Sequence, residues 1–178
     1  MIDCRWDSMR SLRSLFSRFV LRSFDPRRGL TQLASQADNA VLADPASHKA
    51  GSVGTIALLH SLDMPHSLPY YHSSLLSLTL SHIGDTRALL SSTSSGRVTT
   101  LTENHHPDSR VESIRLRQSG TGIVTDSFGE SRWGGGLANT RGVGDREFKS
   151  LGVIAEPEVS TRVLKSKLCS DSTCLSPY

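Results

Sequence analysis

Long apolar runs are missing from this chain of 178 residues. The longest, 56-IALL-59, falls far short of the roughly 20 residues that a membrane-spanning helix needs. The chain therefore reads as soluble, with no membrane span. Cysteine is scarce: Cys4, Cys169 and Cys174 lie at the two ends. An odd count in those places builds no disulfide framework. A structural zinc site takes four ligands, and no second Cys or His pair lies near 169-CSDSTC-174, so these read as free thiols in a tail.

Clustered cationic charge is missing from the body. Residues 1–30 hold seven arginines against three aspartates, whereas the whole chain carries only +3, so the remainder is slightly acidic. A nucleic-acid face needs Lys and Arg gathered on the folded part, and that class is excluded. Several catalytic signatures are missing too. The segment 51-GSVGT-55 has glycines and hydroxyls but no Gly-Lys-Ser/Thr opening a helix, so it is no P-loop. The glycines of 134-GGGLANTRGVG-144 do not follow a strand in a βαβ unit, which excludes a dinucleotide site. No HxxxH pair with a Glu occurs, and His60, His66, His72, His105 and His106 read as surface histidines.

What is present is a mixed pattern of helices and short strands. Over residues 8–24, Met9, Leu12, Leu15, Phe16, Phe19 and Val20 share one helical face, and Arg10, Arg13, Arg18 and Arg22 share the other. An acid-poor, Arg- and Ser-rich helix of this kind fits either a surface helix packed on the domain or a mitochondrial transit segment. Pro26 and Gly29 are expected to end it. A helix is expected around Leu33 to Leu42, with Asp44-Pro45 as the break. The apolar run 52–61 reads as a strand and 62–74 as a loop. Residues 75–83 alternate strictly, with Leu76, Leu78, Leu80 and His82 on one side and Ser77, Thr79 and Ser81 on the other.

Downstream, 83-IGDT-86 predicts a hairpin turn into a strand at 86–92, and Ser94-Ser95-Gly96 predicts a second turn into 97–102. A helix is predicted between Pro107 and Gly120, with Val111, Ile114 and Leu116 as its apolar contacts. Two short strands flank Gly129, and a short helix is expected to contain Ala138 and Arg141. Residues 153–164 are extended. Pro157 cannot donate to a ladder, so that strand lies at an edge or begins after it. The organisation expected is a basic leader or surface helix over 1–30, a domain over 31–164 and a tail over 165–178.

Asp85 stands out among the acids. In a turn its ordinary role is to bond its own backbone. At the rim of a sheet it can instead ligate a hard cation such as Mg²⁺ or Mn²⁺.

The order of motifs carries more than any one of them. Gly51-Ser52-Val53-Gly54-Thr55 opens a strand, and a second strand ends in Ile83-Gly84-Asp85-Thr86-Arg87-Ala88. Leu101 to Asp108 precede an Arg-rich helix. Leu137-Ala138-Asn139-Thr140-Arg141-Gly142-Val143-Gly144-Asp145 and Ala155-Glu156-Pro157-Glu158-Val159 follow. Over residues 51–164 this resembles the PP2C-type (PPM) metal-dependent protein serine/threonine phosphatases. The resemblance implies an α+β fold, a four-layer α/β/β/α sandwich with two antiparallel sheets. It implies a site where carboxylates hold two Mg²⁺ or Mn²⁺ ions and a metal-bound water attacks phosphoserine or phosphothreonine, with phosphoproteins as substrates. On this resemblance Asp85 matches the family's Gly-Asp-Ser-Arg aspartate, a ligand of a third, weaker metal. Arg141 and Asp145 match its Ser-Arg-x-x-Gly-Asp segment, which shapes the fold near the site.

The family's Asp-Gly-His-Gly-Gly motif would precede residue 51, yet the chain has no Asp-Gly dipeptide. Its Asp-Asn motif would follow residue 164, whereas Asp38-Asn39 stands ahead of the first strand. Two dications roughly 3.5–4 Å apart repel unless several carboxylates neutralise them. The expectation is therefore a partial domain, truncated at both ends, that lacks the core ligands of the binuclear centre. The alternative expectation is a non-catalytic interaction module. The expected location is mitochondrial or cytoplasmic.

Overall fold

A helix of 18 residues, α1 (Pro26–Ala43), opens the part of the chain that the structure describes. This computed structural model describes residues 25–63, 72–118, 120, 122–134 and 136–165. The predicted helix over 8–24 lies outside them, as does the predicted tail beyond Lys165. Pro26 starts a helix here, whereas the sequence suggested that it ends one. Asp25 is the N-cap, its side chain accepting from the Arg27 N–H at 3.0 Å. Proline lacks only a donor that the first turn leaves unpaired in any case. Leu30, Leu33 and Ala34 are buried on one side of α1, and Asp44 closes the helix ahead of a single 3-10 turn, Pro45–Ser47.

The main sheet has three antiparallel strands in the order β2-β3-β9, formed by Gly54–Ser61, Leu75–Ile83 and Glu158–Lys165. The alternation of β3 is realised in register: Leu76, Leu78, Leu80 and His82 face the same way as Leu59, Ala57 and Thr55 of β2 and as Leu164, Ser160 and Glu158 of β9. The opposite face carries Ser77, Thr79 and Ser81, all buried. Helix α1 lies on that face, with Arg27 Nε 3.4 Å from the Thr161 hydroxyl, and it packs on β3 and β9. β9 begins directly after Pro157, as the missing N–H requires.

The hairpin expected at 83-IGDT-86 does not form. Both edges of β3 are already taken, by β2 and β9, so no ladder remains for the following strand. That strand, β4 (Leu89–Ser91), pairs instead with β5 (Val98–Thr100). The turn predicted at Ser94-Ser95-Gly96 joins them, with Gly96 at φ +67°. The strands around Gly129 also pair, as β6 (Ile123–Thr125) and β7 (Ser131–Trp133). β1 (Gly51–Ser52) pairs with β8 (Val143–Gly144). Gly144 is obligatory there: it sits at φ +82°, and a Cβ would come 2.3 Å from the Ala50 carbonyl oxygen.

The helix between Pro107 and Gly120 is present as α2 (Arg110–Arg117). Of the three apolar residues expected to make its contacts, it buries only Leu116. Val111 and Ile114 are exposed, while Glu112 and Leu116, one turn apart, point inward. Leu116 joins Trp133 and Val153 in a small core, with Leu137 and Phe148 against it. The Trp133 indole donates to the Leu151 carbonyl at 2.8 Å. No helix contains Ala138 and Arg141. Isolated bridges stand there instead, Trp133 to Leu137 and Arg141 to Ile154, and the helix comes later as α3 (Arg146–Lys149).

Candidate functional site

Asp85 sits one residue beyond Gly84, at the end of β3, in an exposed bend. Gly84 adopts φ +100°, and a Cβ there would meet Val53 Cγ1 at 2.1 Å, so only glycine fits. His105 holds Gly84 from both sides. The Gly84 N–H donates to His105 Nδ1 at 3.0 Å, and the His105 N–H donates to the Gly84 carbonyl at 3.0 Å. This clamp fixes the peptide that presents Asp85.

His105 is buried, which corrects its reading as a surface histidine, and His82 is buried with it. The two rings stack at 4.8 Å with planes 18° apart. His82 Nδ1 is 2.9 Å from the Thr55 hydroxyl, and its Nε2 is 3.0 Å from the Glu103 carbonyl. Because Nδ1 of His105 accepts a backbone proton, its neutral ring carries hydrogen on Nε2. Burial, reinforced by the Arg141 cation, lowers its pKa from 6.5 to about 4. Glu158 Oε2 lies 3.7 Å from Nε2.

Behind His105 stands a buried ionic hub. Glu112 Oε1 accepts from Arg141 Nε at 3.0 Å and Nη2 at 2.6 Å, a fork-to-carboxylate pair. Oε2 accepts from Arg115 Nε at 3.1 Å and Nη2 at 2.8 Å. The Thr140 hydroxyl lies 2.7 Å from Oε2 and 2.9 Å from the His105 carbonyl. It has one proton for two acceptors, and the charged carboxylate draws it. Burial raises the Glu112 pKa, but the bonds from Arg141, Thr140 and Arg115 overcome it and hold the carboxyl at about 2. A continuous path thus runs from Glu112 through Thr140 and His105 to Gly84 and Asp85. The sequence pointed to Arg141 but not to Glu112. The available signal was a lone acid among the three bases of α2, spaced one turn from Leu116.

Asp145 lies apart from this path. It is a non-glycine residue at φ 50°, and its carboxylate crowds Gly51 and Gly142, where any Cβ would collide. Burial raises its pKa, and Asp38 adds to that while Lys149 opposes it. Asp38, out of place as a metal-motif residue, has a structural task. Its Oδ1 accepts from the Gly144 N–H at 2.7 Å and the Lys149 ammonium at 2.8 Å, tying α1 to β8 and α3.

The donor set decides which cations fit. Among the described residues no three His, Cys, Asp or Glu side chains gather closely enough to hold a metal ion. Glu112 is committed to two arginines, and the Asp145 carboxylate packs against Gly51 and Gly142. A lone exposed Asp85 does not fit a two-ion centre, whose positive charge needs several carboxylates.

A helix laid on an antiparallel sheet, with further antiparallel strand pairs around it, makes this an α+β protein. A family model for Protein phosphatase 2C matches residues 8–169. The chain belongs to the protein phosphatase 2C family. It is 40% identical over 164 residues to Protein phosphatase 2C homolog 4 of Schizosaccharomyces pombe, covering 86% of this chain and 42% of that protein. It is 41% identical over 83 residues to the mitochondrial Protein phosphatase 1K of Xenopus laevis, covering 47% of this chain and 22% of the relative. A crystal structure of a phosphatase from Toxoplasma gondii superposes with a TM-score of 0.69 at 17% identity, over 88% of this chain and 54% of that one. The chain therefore spans less than half the length of these two curated relatives.

Proposed function

We propose that the chain serves metal-dependent dephosphorylation of phosphoserine and phosphothreonine in proteins, with Asp85 as its Mg²⁺ or Mn²⁺ ligand. The family match across residues 8–169 carries this reading. The clamped Gly84–Asp85 peptide supports it, because a hard cation is best served by an oxygen ligand held on a rigid support. Both curated relatives are described as phosphatases, which favours an enzymatic role over a non-catalytic module. The described residues supply scaffold and one carboxylate.

The test is manganese titration of the whole chain, paired with turnover of a phosphothreonine peptide. One weak Mn²⁺ site that disappears in Asp85→Ala is expected, with turnover following once further carboxylates are supplied. Mn²⁺ binding indifferent to Asp85→Ala sinks the ligand assignment. Turnover that needs no divalent ion sinks the class of reaction.

A mitochondrial location is the companion reading. It rests on the Arg-rich, acid-poor stretch 8–24 and on the mitochondrial relative. Residues 1–30 fused to a fluorescent reporter should carry it into mitochondria, and a reporter left in the cytosol refutes this.

A further inference from the structure

Glu158, the first residue of β9, belongs neither to the ionic hub nor to the clamp on Gly84, yet its strand is tied to both. Arg141, which grips Glu112, also donates from Nη1 to the Glu156 carbonyl at 3.0 Å. Pro157 follows, and the ladder then places Glu158 directly opposite His82. The His82 ring stacks on His105. Glu158 therefore flanks the stacked pair, and its Oε2 comes 3.7 Å from His105 Nε2. Among the described residues no other polar group meets that nitrogen. The nearby cations Arg141 and Arg115 are already engaged by Glu112.

The two ring nitrogens of His105 cannot exchange roles. Nδ1 must keep its lone pair, because it faces the Gly84 N–H at 3.0 Å. A hydrogen there would set donor against donor and open the clamp. The hydrogen of the neutral ring then sits on Nε2, in a buried side chain where a donor without a partner is unfavourable. A contact of 3.7 Å is longer than a direct hydrogen bond, so Glu158 acts on that N–H as a charge on a dipole. The partner on one ring nitrogen thereby decides what the other can accept. With 46% of its side chain exposed, Glu158 is partly screened, which makes the effect moderate.

We infer that Glu158 is a positioning residue: its carboxylate holds the hydrogen on His105 Nε2, keeps Nδ1 free for the Gly84 N–H, and so fixes the peptide that carries Asp85. His82 does not take this part. Its Nε2 is engaged by the Glu103 carbonyl and its Nδ1 by the Thr55 hydroxyl, so it serves as the plate on which His105 stacks. Outer partners of this kind tune a ligand that they never touch. Only the consequence for Mn²⁺ binding rests on the reading of Asp85 as a metal ligand; the state of the ring does not.

The experiment is nuclear magnetic resonance on the full chain at neutral pH without divalent metal, with nitrogen-15 in the histidine rings and the backbone. The His105 ring is identified by its absence from His105→Asn. In the parent chain Nε2 is expected to carry the hydrogen. Glu158→Ala should populate the form with hydrogen on Nδ1, and should speed hydrogen exchange at the Gly84 amide by at least ~10-fold. Glu158→Gln, which retains an acceptor without the charge, should fall between the two. Asp38→Ala, which weakens the fold elsewhere, should leave the ring unchanged. In a separate titration Glu158→Ala should bind Mn²⁺ about tenfold more weakly than the parent, at the low end for outer partners. Hydrogen on Nδ1 in the parent, a ring and Gly84 amide unaltered in Glu158→Ala, or the same ring change in Asp38→Ala each overturns the inference. Unaltered Mn²⁺ affinity beside a shifted ring overturns the link to Asp85. A parent chain that binds no Mn²⁺ defeats the Asp85 reading alone, since the ring and amide signals still decide this one.

Discussion

Arg141 grips Glu112 through two nitrogens, Nη2 at 2.6 Å and Nε at 3.0 Å, across 29 residues of chain. Glu112 is almost completely buried, with 1% of its side chain exposed. A second arginine, Arg115, closes the other oxygen. The hub is an anchor for Thr140 and His105, and through them for the peptide that carries Asp85.

Removing the Glu112 charge should therefore be costly. Glu112→Gln leaves two guanidinium groups facing a neutral amide in a buried site. Breaking one partner of such a pair typically costs about 3–5 kcal/mol. Urea unfolding of this variant should show a loss of that order, a large fraction of the stability of a small domain. A midpoint within error of the parent chain would refute the hub.

Acid should destabilise the protein over two pH ranges. The His105 pKa is about 4 in the folded chain against 6.5 unfolded, so between those values the unfolded state binds the extra proton. Stability from this group is complete above pH 6.5 and is lost as pH falls through about 4, by about 3 kcal/mol. Glu112, lowered from 4.5 to about 2, adds a second loss below pH 4.5 that continues to about pH 2. Melting temperature measured against pH should fall from pH 6.5 downward. His105→Gln should flatten the upper part of that curve, and an unchanged profile in that variant would count against the assignment.

Asp38→Ala removes the acceptor of the Gly144 N–H and the partner of Lys149. A buried donor left unpaired costs about 1–3 kcal/mol. The melting temperature should drop accordingly, and Asp38→Asn, which keeps an acceptor, should recover part of it. No difference between the two variants would mean the hydrogen bond to Gly144 contributes nothing.

Asp85→Ala should behave differently. Asp85 is exposed and lies outside the ionic hub, so its loss should change stability by no more than about 0.5 kcal/mol. Manganese binding, followed by calorimetry, is where the loss should appear. A large fall in melting temperature without metal would make Asp85 a structural residue instead.

The alternation of 75-LLSLTLSHI-83 was sufficient to define β3, and the turns at Gly96 and Gly129 were legible because each needs a residue tolerant of positive φ. The order of motifs by itself pointed to the family. Legibility failed where local signals had two uses. Pro26 suits both a helix end and a helix start, and the Asp25 cap made it a start. The dipeptide Gly84-Asp85 suits a hairpin, but β3 had no free edge to offer.

Period and turn chemistry are properties of a few neighbouring residues, so the amino-acid order alone set the central strand, the short hairpins and the kinship. The burial of Glu112 and the two-sided grip of His105 on Gly84 could be decided only in three dimensions. An acid can enter the interior only if distant parts of the chain deliver cations to meet it. No stretch of sequence shows, by itself, that Arg141 will arrive.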